Sequence, residues 1–251
     1  MAGGKGTRLK PLTDIINKHL LYIYNKPMIY YSLSTLIYSG IKDIQIICNP
    51  GDEFFFKKIL SKVEKKNNLK LSYKNQNKMG GGIAEGLTLS KDFIGNSKKI
   101  VFILGDNFFY GKEFPMTLKK IIKKKTNKSF IFLSEVNNPK DYGVAYLKNK
   151  RINSIIEKPK NQRSNLAITG LYVYNTEILN LQKKLKRSNR NELEISSLNK
   201  LILKEKKLDY IKIGKGTSWF DMGTYENIFQ CAELIRLIEN RQGIKISNLI
   251  S

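Results

Sequence analysis

Short apolar runs, too compact for helices, alternate along the first half of this chain with longer amphipathic stretches. No other feature narrows the fold as much. Residues 99–104 and 129–134 are almost continuously apolar. Runs of that kind are strands buried on both faces of a sheet. Further strands are expected at 43–48 and 69–73, and helices at 28–39, 53–65, 83–91 and 114–125. Pro27 suits the first turn of the helix beginning at 28, and Gly40 suits its C-terminal cap. The alternation predicts an α/β fold: a doubly wound, mostly parallel, Rossmann-like sheet.

Beyond Val136 the pattern changes. Strands are expected at 142–147, 152–157 and 167–174 with short connections, then helices at 176–185 and 192–204 and a strand at 208–213. The chain shows neither an internal repeat nor a flexible linker. It therefore predicts a single domain: a first part over about 1–135, an α+β extension over about 136–224, and a closing helix over about 225–242.

Composition excludes several classes. The chain has 251 residues, 41% hydrophobic and 26% charged, enough for a sizeable core. No apolar run approaches the roughly 20 residues that span a bilayer. Met1 leads directly into a glycine-rich segment, not a basic-then-apolar leader, so the cytoplasm is expected. Cys48 and Cys231 sit in apolar patterns and read as buried thiols. One histidine, His19, argues against zinc chemistry and against a His-based triad. The net charge of +24 suggests nucleic acid, but the lysines interleave with Ile, Leu and Val at helical spacing. They read as solvated helix faces. No specific nucleic-acid partner and no membrane partner is expected, only non-specific attraction to polyanions at low salt.

The chemistry begins at Ala2-Gly3-Gly4-Lys5-Gly6-Thr7-Arg8-Leu9. Three glycines in four positions let backbone N–H groups approach a phosphate, and an arginine adds paired charged donors. The segment matches neither the P-loop nor the dinucleotide spacing, and a plain glycine turn is the competing reading. Phosphate loops normally follow a buried strand. Here only Met1 and Ala2 precede the loop, and a strand before it is expected to be central to the sheet.

Asp106 follows the apolar run 99–104, and Asp221 follows Trp219-Phe220 with Gly223 close by. Ligands of open α/β sheets bind beyond the carboxyl ends of strands. Each aspartate alone reads equally as a turn or helix cap. Together they suggest a Mg²⁺ site, because Mg²⁺ takes one or two carboxylates plus phosphate oxygens and water. Lys18 could reach a phosphate at the glycine loop or could be a surface lysine. Glu157-Lys158 at a strand end could serve a sugar hydroxyl and a phosphate, or form an exposed ion pair worth little.

Taken in order, these segments resemble the nucleotidyltransferases that activate sugar 1-phosphates. The resemblance rests on the loop through Thr13, on Asn17-Lys18-His19-Leu20-Leu21, and on Asn25-Lys26-Pro27-Met28-Ile29-Tyr30-Tyr31. Residues 104–111, Tyr142-Gly143-Val144, Glu157-Lys158-Pro159, 167–172, 192–195, 219–224 and Arg241-Gln242-Gly243 are similar to the glucose-1-phosphate thymidylyltransferase branch.

That resemblance implies Mg²⁺-dependent attack of glucose 1-phosphate on the α-phosphorus of dTTP, giving dTDP-glucose and pyrophosphate. It implies a nucleotide-binding first part and a sugar-binding extension. Gly3, Gly4, Gly6 and Thr7 would form the phosphate loop. Arg8 and Lys18 would grip the triphosphate beside His19. Asp106 and Asp221 would hold the metal. Gln76 and Gly82 would face the base, Tyr142, Gly143, Glu157 and Ile168 would line the sugar pocket, and Lys158 with Arg190 would meet the sugar phosphate. A homo-oligomer, a tetramer in the family, is implied as well.

The chain departs from the family in several places. His19 stands where glutamine is usual, Tyr22 where proline is, Asn25 where aspartate is, and Glu85 where glutamine is common. The base loop 76–82 has no proline and is one residue longer. The family's apolar strand before Ala2 and the several dozen residues past Arg241-Gln242-Gly243 are not present. A uridylyl- or other nucleotidylyltransferase, or an inactive remnant, stays open as an alternative.

Overall fold

The computed structural model describes residues 1–77, 81–161, 163–188 and 191–250. After 3-10 turns at Thr7–Leu9, Leu12–Asp14 and Lys18–Leu20 come β1 (Tyr22–Ile23), β2 (Lys26–Pro27), α1 (Met28–Tyr38), β3 (Asp43–Cys48), α2 (Glu53–Lys66) and β4 (Lys70–Asn75). Next come α3 (Ile83–Leu89), α4 (Lys91–Ile94), β5 (Lys99–Ile103), β6 (Asn107–Tyr110), α5 (Phe114–Lys123), β7 (Ser129–Glu135), β8 (Gly143–Lys148) and β9 (Arg151–Glu157). The chain continues through β10 (Leu166–Asn175), α6 (Ile178–Gln182), α7 (Ile195–Lys204), β11 (Leu208–Lys212), β12 (Ser218–Asp221) and α8 (Tyr225–Gln242).

Two compact units divide these elements. The first comprises 1–80, 104–119 and 218–251, the second 81–103 and 120–217. They interleave along the chain: 81–103 belongs to the second unit and 104–119 to the first.

In the first unit β3 and β4 pair in parallel, Asp43 opposite Lys70 through Cys48 opposite Asn75. Ala2 makes a parallel bridge to Cys48, its N–H donating to the Ile47 carbonyl at 2.6 Å. The residue leading into the glycine loop therefore lies in strand register with β3. On its other side the Met1 carbonyl accepts from the Gly105 N–H at 2.8 Å. β6 and β12 pair antiparallel, Asn107 opposite Asp221. Around them Ile23, Met28, Tyr31, Phe108, Met222, Cys231, Ile235 and Ile246 form one buried cluster. α1 is buried from Met28 to Ile37, and its Ser32, Ser34 and Thr35 hydroxyls bond back to carbonyls of the preceding turn. α2 instead buries Phe56, Leu60 and Val63 and turns its lysines to solvent, as its spacing predicts. Both cysteines are buried free thiols.

The second unit is built on a six-stranded sheet in the order β11-β7-β10-β8-β9, with β5 also pairing β10. β10 is antiparallel to β5, β7 and β8, and β11 is parallel to β7. β5, β7, β8 and β11 thus point one way, and β9 and β10 the other. The α/β class agrees with expectation; β9 and β10 run against the other four strands, so four of the five pairings in this sheet are antiparallel and the sheet is mixed. Among the described residues no helix is long and apolar enough to cross a membrane.

Most expected elements recur within a few residues. The helix expected over 83–91 stops at Leu89 because the Ser90 hydroxyl bonds back to the Gly86 carbonyl at 2.8 Å and helix restarts as α4. The helix expected from 192 starts at Ile195 because Glu194 is extended. The short pairs β1–β2 and β6–β12 are additions to the expected set.

Candidate active site

The glycine loop owes its shape to backbone conformations that favour glycine. Gly4 has φ +126° and Gly6 φ +61°. A Cβ on Gly3 would lie 2.0 Å from Gln76 Oε1, so the loop and the Gln76 amide pack without room for a side chain. The Thr13 hydroxyl donates to the Gly6 carbonyl at 2.8 Å. Thr7 and Arg8 stand exposed at the turn that follows.

Asp106 sits between β5 and β6 and Asp221 closes β12. The Met222 N–H donates to the Asp106 carbonyl at 2.8 Å. The Trp219 Nε1–H donates to Asn107 Oδ1 at 2.7 Å, and Asn107 Nδ2 donates to Asp106 Oδ1 at 3.0 Å. The Lys18 ammonium is ion-paired with Asp106 Oδ2. A Cβ on Gly223 would lie 2.5 Å from Arg8 Nη2 and 2.8 Å from Asp221 Oδ1. The first unit thus gathers Arg8, Lys18, Asp106 and Asp221 beside the loop.

Their electrostatics diverge. Burial pushes Asp106 upward, but the Lys18 charge, with hydrogen bonds from Lys18 and Asn107, outweighs it and holds the carboxyl well below the usual range. Burial and the Asp106 charge raise Asp221 to about 6, against the opposing pull of Lys18 and Arg8. Burial and the neighbouring Lys18 charge lower His19 to about 3, so its ring is neutral at physiological pH. His19 is 2% exposed, and its Nδ1–H donates to Asn17 Oδ1 at 2.8 Å. Among the described residues no cluster of three or more His, Cys, Asp or Glu could hold a metal. Asp106 and Asp221 are the two carboxylates that interact here, each acting on the other's charge.

The second unit brings Tyr142, Gly143, Glu157, Lys158 and Ile168 together at one end of β8, β9 and β10. Gly143 lies opposite Glu157, and a Cβ there would sit 3.1 Å from Glu157 Oε2 and 3.8 Å from Ile168 Cδ1. The Lys158 N–H donates to the Tyr142 carbonyl at 2.9 Å. Lys158 has φ +46°, a left-handed conformation that costs a non-glycine residue energy. Gly82, at φ +97°, packs against Leu193, whose backbone N a Cβ would approach to 2.4 Å. Glu85, the departure from glutamine, is buried and faces Arg187 Nη2 at 3.5 Å. Arg190 lies outside the described residues.

Sequence reasoning passed over Asn17, Asn49 and Asp52, which bind the glycine loop to the rest of the first unit. Asn49 Oδ1 accepts from the Gly4 N–H at 2.8 Å, and its Nδ2 donates to the Gly4 carbonyl at 3.1 Å. The only hint was an aspartate ahead of α2, where a capping residue is common.

The fold is of the α/β class, with a glycine loop set beside two cations and two carboxylates. Within that class the chain belongs to the nucleotidyl transferase family, whose model matches residues 1–236. It is 40% identical to a glucose-1-phosphate thymidylyltransferase of Neisseria meningitidis over 99% of this chain and 85% of that protein. The corresponding protein of Mycolicibacterium smegmatis is 38% identical over 98% and 84%. A Bacillus anthracis protein assigned as a glucose-1-phosphate thymidylyltransferase, crystallised with sucrose, superposes with a TM-score of 0.84 at 36% identity, covering 94% of this chain and 93% of that one. A UDP-glucose pyrophosphorylase bound to UDP-glucose shares the fold at TM-score 0.80 and 23% identity, over 94% of this chain and 96% of that one.

Proposed function

We propose that the protein transfers a thymidylyl group from dTTP to glucose 1-phosphate. The observation that carries this reading is the grouping of Arg8, Lys18, Asp106 and Asp221 beside a glycine loop, in a chain 40% identical to a protein of that name. A phosphate oxygen of the sugar phosphate attacks the α-phosphorus of dTTP. A P–O bond forms, the bond to the β-phosphate breaks, and the electron pair leaves with pyrophosphate. The attacking oxygen is already anionic at neutral pH, so the protein's contribution is positioning and charge neutralisation.

Gly3, Gly4, Gly6 and Thr7 cradle the triphosphate, while Arg8 and Lys18 meet its charge and that of the leaving pyrophosphate. Gln76 and the Gly82 backbone face the base. Glu157, Tyr142, Gly143 and Ile168 hold the sugar, and Lys158 and Arg190 meet its phosphate. Two aspartates of like charge, one of them with a raised proton affinity, fit a divalent cation that also takes phosphate oxygens. Asp106 and Asp221 would hold Mg²⁺, which when bound would supply Lewis-acid polarisation of the phosphate and offset its charge.

The test is pyrophosphate release with a panel of nucleoside triphosphates and sugar 1-phosphates, with and without Mg²⁺. Preference for dTTP and glucose 1-phosphate is expected, with loss of turnover on chelation. Preference for UTP would reassign the base. Asp106→Asn and Asp221→Asn are each expected to lower turnover a hundredfold or more, on the order seen when a charge-stabilising contact is removed.

A further inference from the structure

We infer that Asp52 is the positioning residue of the glycine loop, acting through Asn17 and Asn49. Asp52 stands ahead of α2, in the N-cap position, yet its side chain makes no cap bond. An aspartate there ordinarily accepts from the first helical N–H groups. Here Oδ2 instead accepts from Asn17 Nδ2 at 2.6 Å and from Asn49 Nδ2 at 3.0 Å. A carboxylate only accepts, so it fixes which way both amides face. With both NH₂ groups drawn to Asp52, both carbonyl oxygens point the other way. Asn49 Oδ1 then accepts from the Gly4 N–H, and Asn17 Oδ1 accepts from the His19 N–H at 2.9 Å and from its ring. The same two NH₂ groups also donate to the Gly4 and Ala2 carbonyls, at 3.1 and 3.0 Å.

One carboxylate therefore sets the backbone at Gly4 and the two residues flanking Lys18. A flipped amide at either asparagine would present NH₂ to an N–H and a carbonyl to a carbonyl. The loop would be held by repulsive pairs, and the Lys18 segment would lose its anchor. The inference rests on the reading that this loop takes a triphosphate. It adds that the acceptor geometry of Asp52, rather than its charge, keeps the loop in its binding shape.

The experiment compares wild type, Asp52→Ala, Asp52→Asn and Asn49→Ala. It measures dTTP and glucose 1-phosphate binding by calorimetry and KM and kcat for each substrate, with thermal melting as the control for folding. Asp52→Ala and Asn49→Ala are expected to weaken dTTP about tenfold or more, as loop misplacement does. Glucose 1-phosphate affinity is expected to stay within about threefold. Asp52→Asn, whose amide oxygen can accept both bonds, is expected to restore dTTP affinity. Wild type that binds no dTTP would overturn the nucleotide reading itself, and this inference with it. Wild type that binds dTTP while Asp52→Ala binds it equally well, or while Asp52→Asn loses as much as Asp52→Ala, would overturn the inference alone. So would parallel loss of both ligands with lowered melting. If Asp52→Ala does not fold, Asn49→Ala and Asp52→Asn decide the question on the same measurements.

Discussion

Lys18 and Asp106, 88 positions apart, form an ion pair with side chains only 16% and 9% exposed. It joins the segment after the glycine loop to the turn before β6, and the Lys18 charge holds the Asp106 carboxyl low against the upward push of burial. Removing one partner of a buried pair leaves the other charge uncompensated. Lys18→Met is expected to cost about 1–3 kcal/mol, less than a fully buried pair because Lys18 reaches solvent. Adding Asp106→Asn is expected to recover part of that loss, as a double-mutant cycle in denaturant would measure. Strict additivity would show that the pair is energetically idle.

Asp221 carries the opposite consequence. Its folded pKa, about 6, lies above the ordinary 3.8. Between those values the folded state binds more protons than the unfolded state, so its contribution to stability declines as pH rises from about 4 to 6. Asp221→Asn is expected to flatten that part of the profile and to raise stability at pH 7 by about 1 kcal/mol or more. Urea melts of both proteins across pH 4–8 test the sign. A larger pH 4–6 slope in the variant would contradict it.

Gly223 keeps Arg8 and Asp221 in place by having no side chain. Gly223→Ala would set a methyl group 2.5 Å from Arg8 Nη2, and the guanidinium must move. Turnover is expected to fall about tenfold or more, while melting changes little. Unchanged kinetics would mean that Arg8 has no fixed role.

Tyr174 and Asn199 form a buried polar pair in the second unit, with the hydroxyl donating to Asn199 Oδ1 at 2.7 Å. Tyr174→Phe is expected to cost about 1–2 kcal/mol, because the Asn199 oxygen loses that donor. Chemical denaturation reads it directly, and dTTP binding is expected to be unaffected.

The strand–helix order of the first half, the glycine loop and the two aspartates were legible because each is local: an apolar run, a glycine spacing, an acid just past a strand. What escaped was non-local. β6 is four residues with no alternation, and it becomes a strand only by pairing with β12. Asn17, Asn49 and Asp52 gain their meaning from hydrogen bonds between segments more than 30 positions apart. The placement of His19 was similarly hidden: a histidine beside a catalytic-type lysine gives no sign that its ring is buried under Gly105.

The pairing of β6 with β12 has a consequence for how the protein is made. Asp106 and its strand leave the ribosome with no partner, and the strand that ends in Asp221 follows about 110 residues later. At roughly 5–20 residues per second, that is a wait of about 5–20 s. During it, Phe108 and Phe109 have no strand to pair with. The two aspartates are therefore brought together only after β12 has been made, late in the synthesis of the chain.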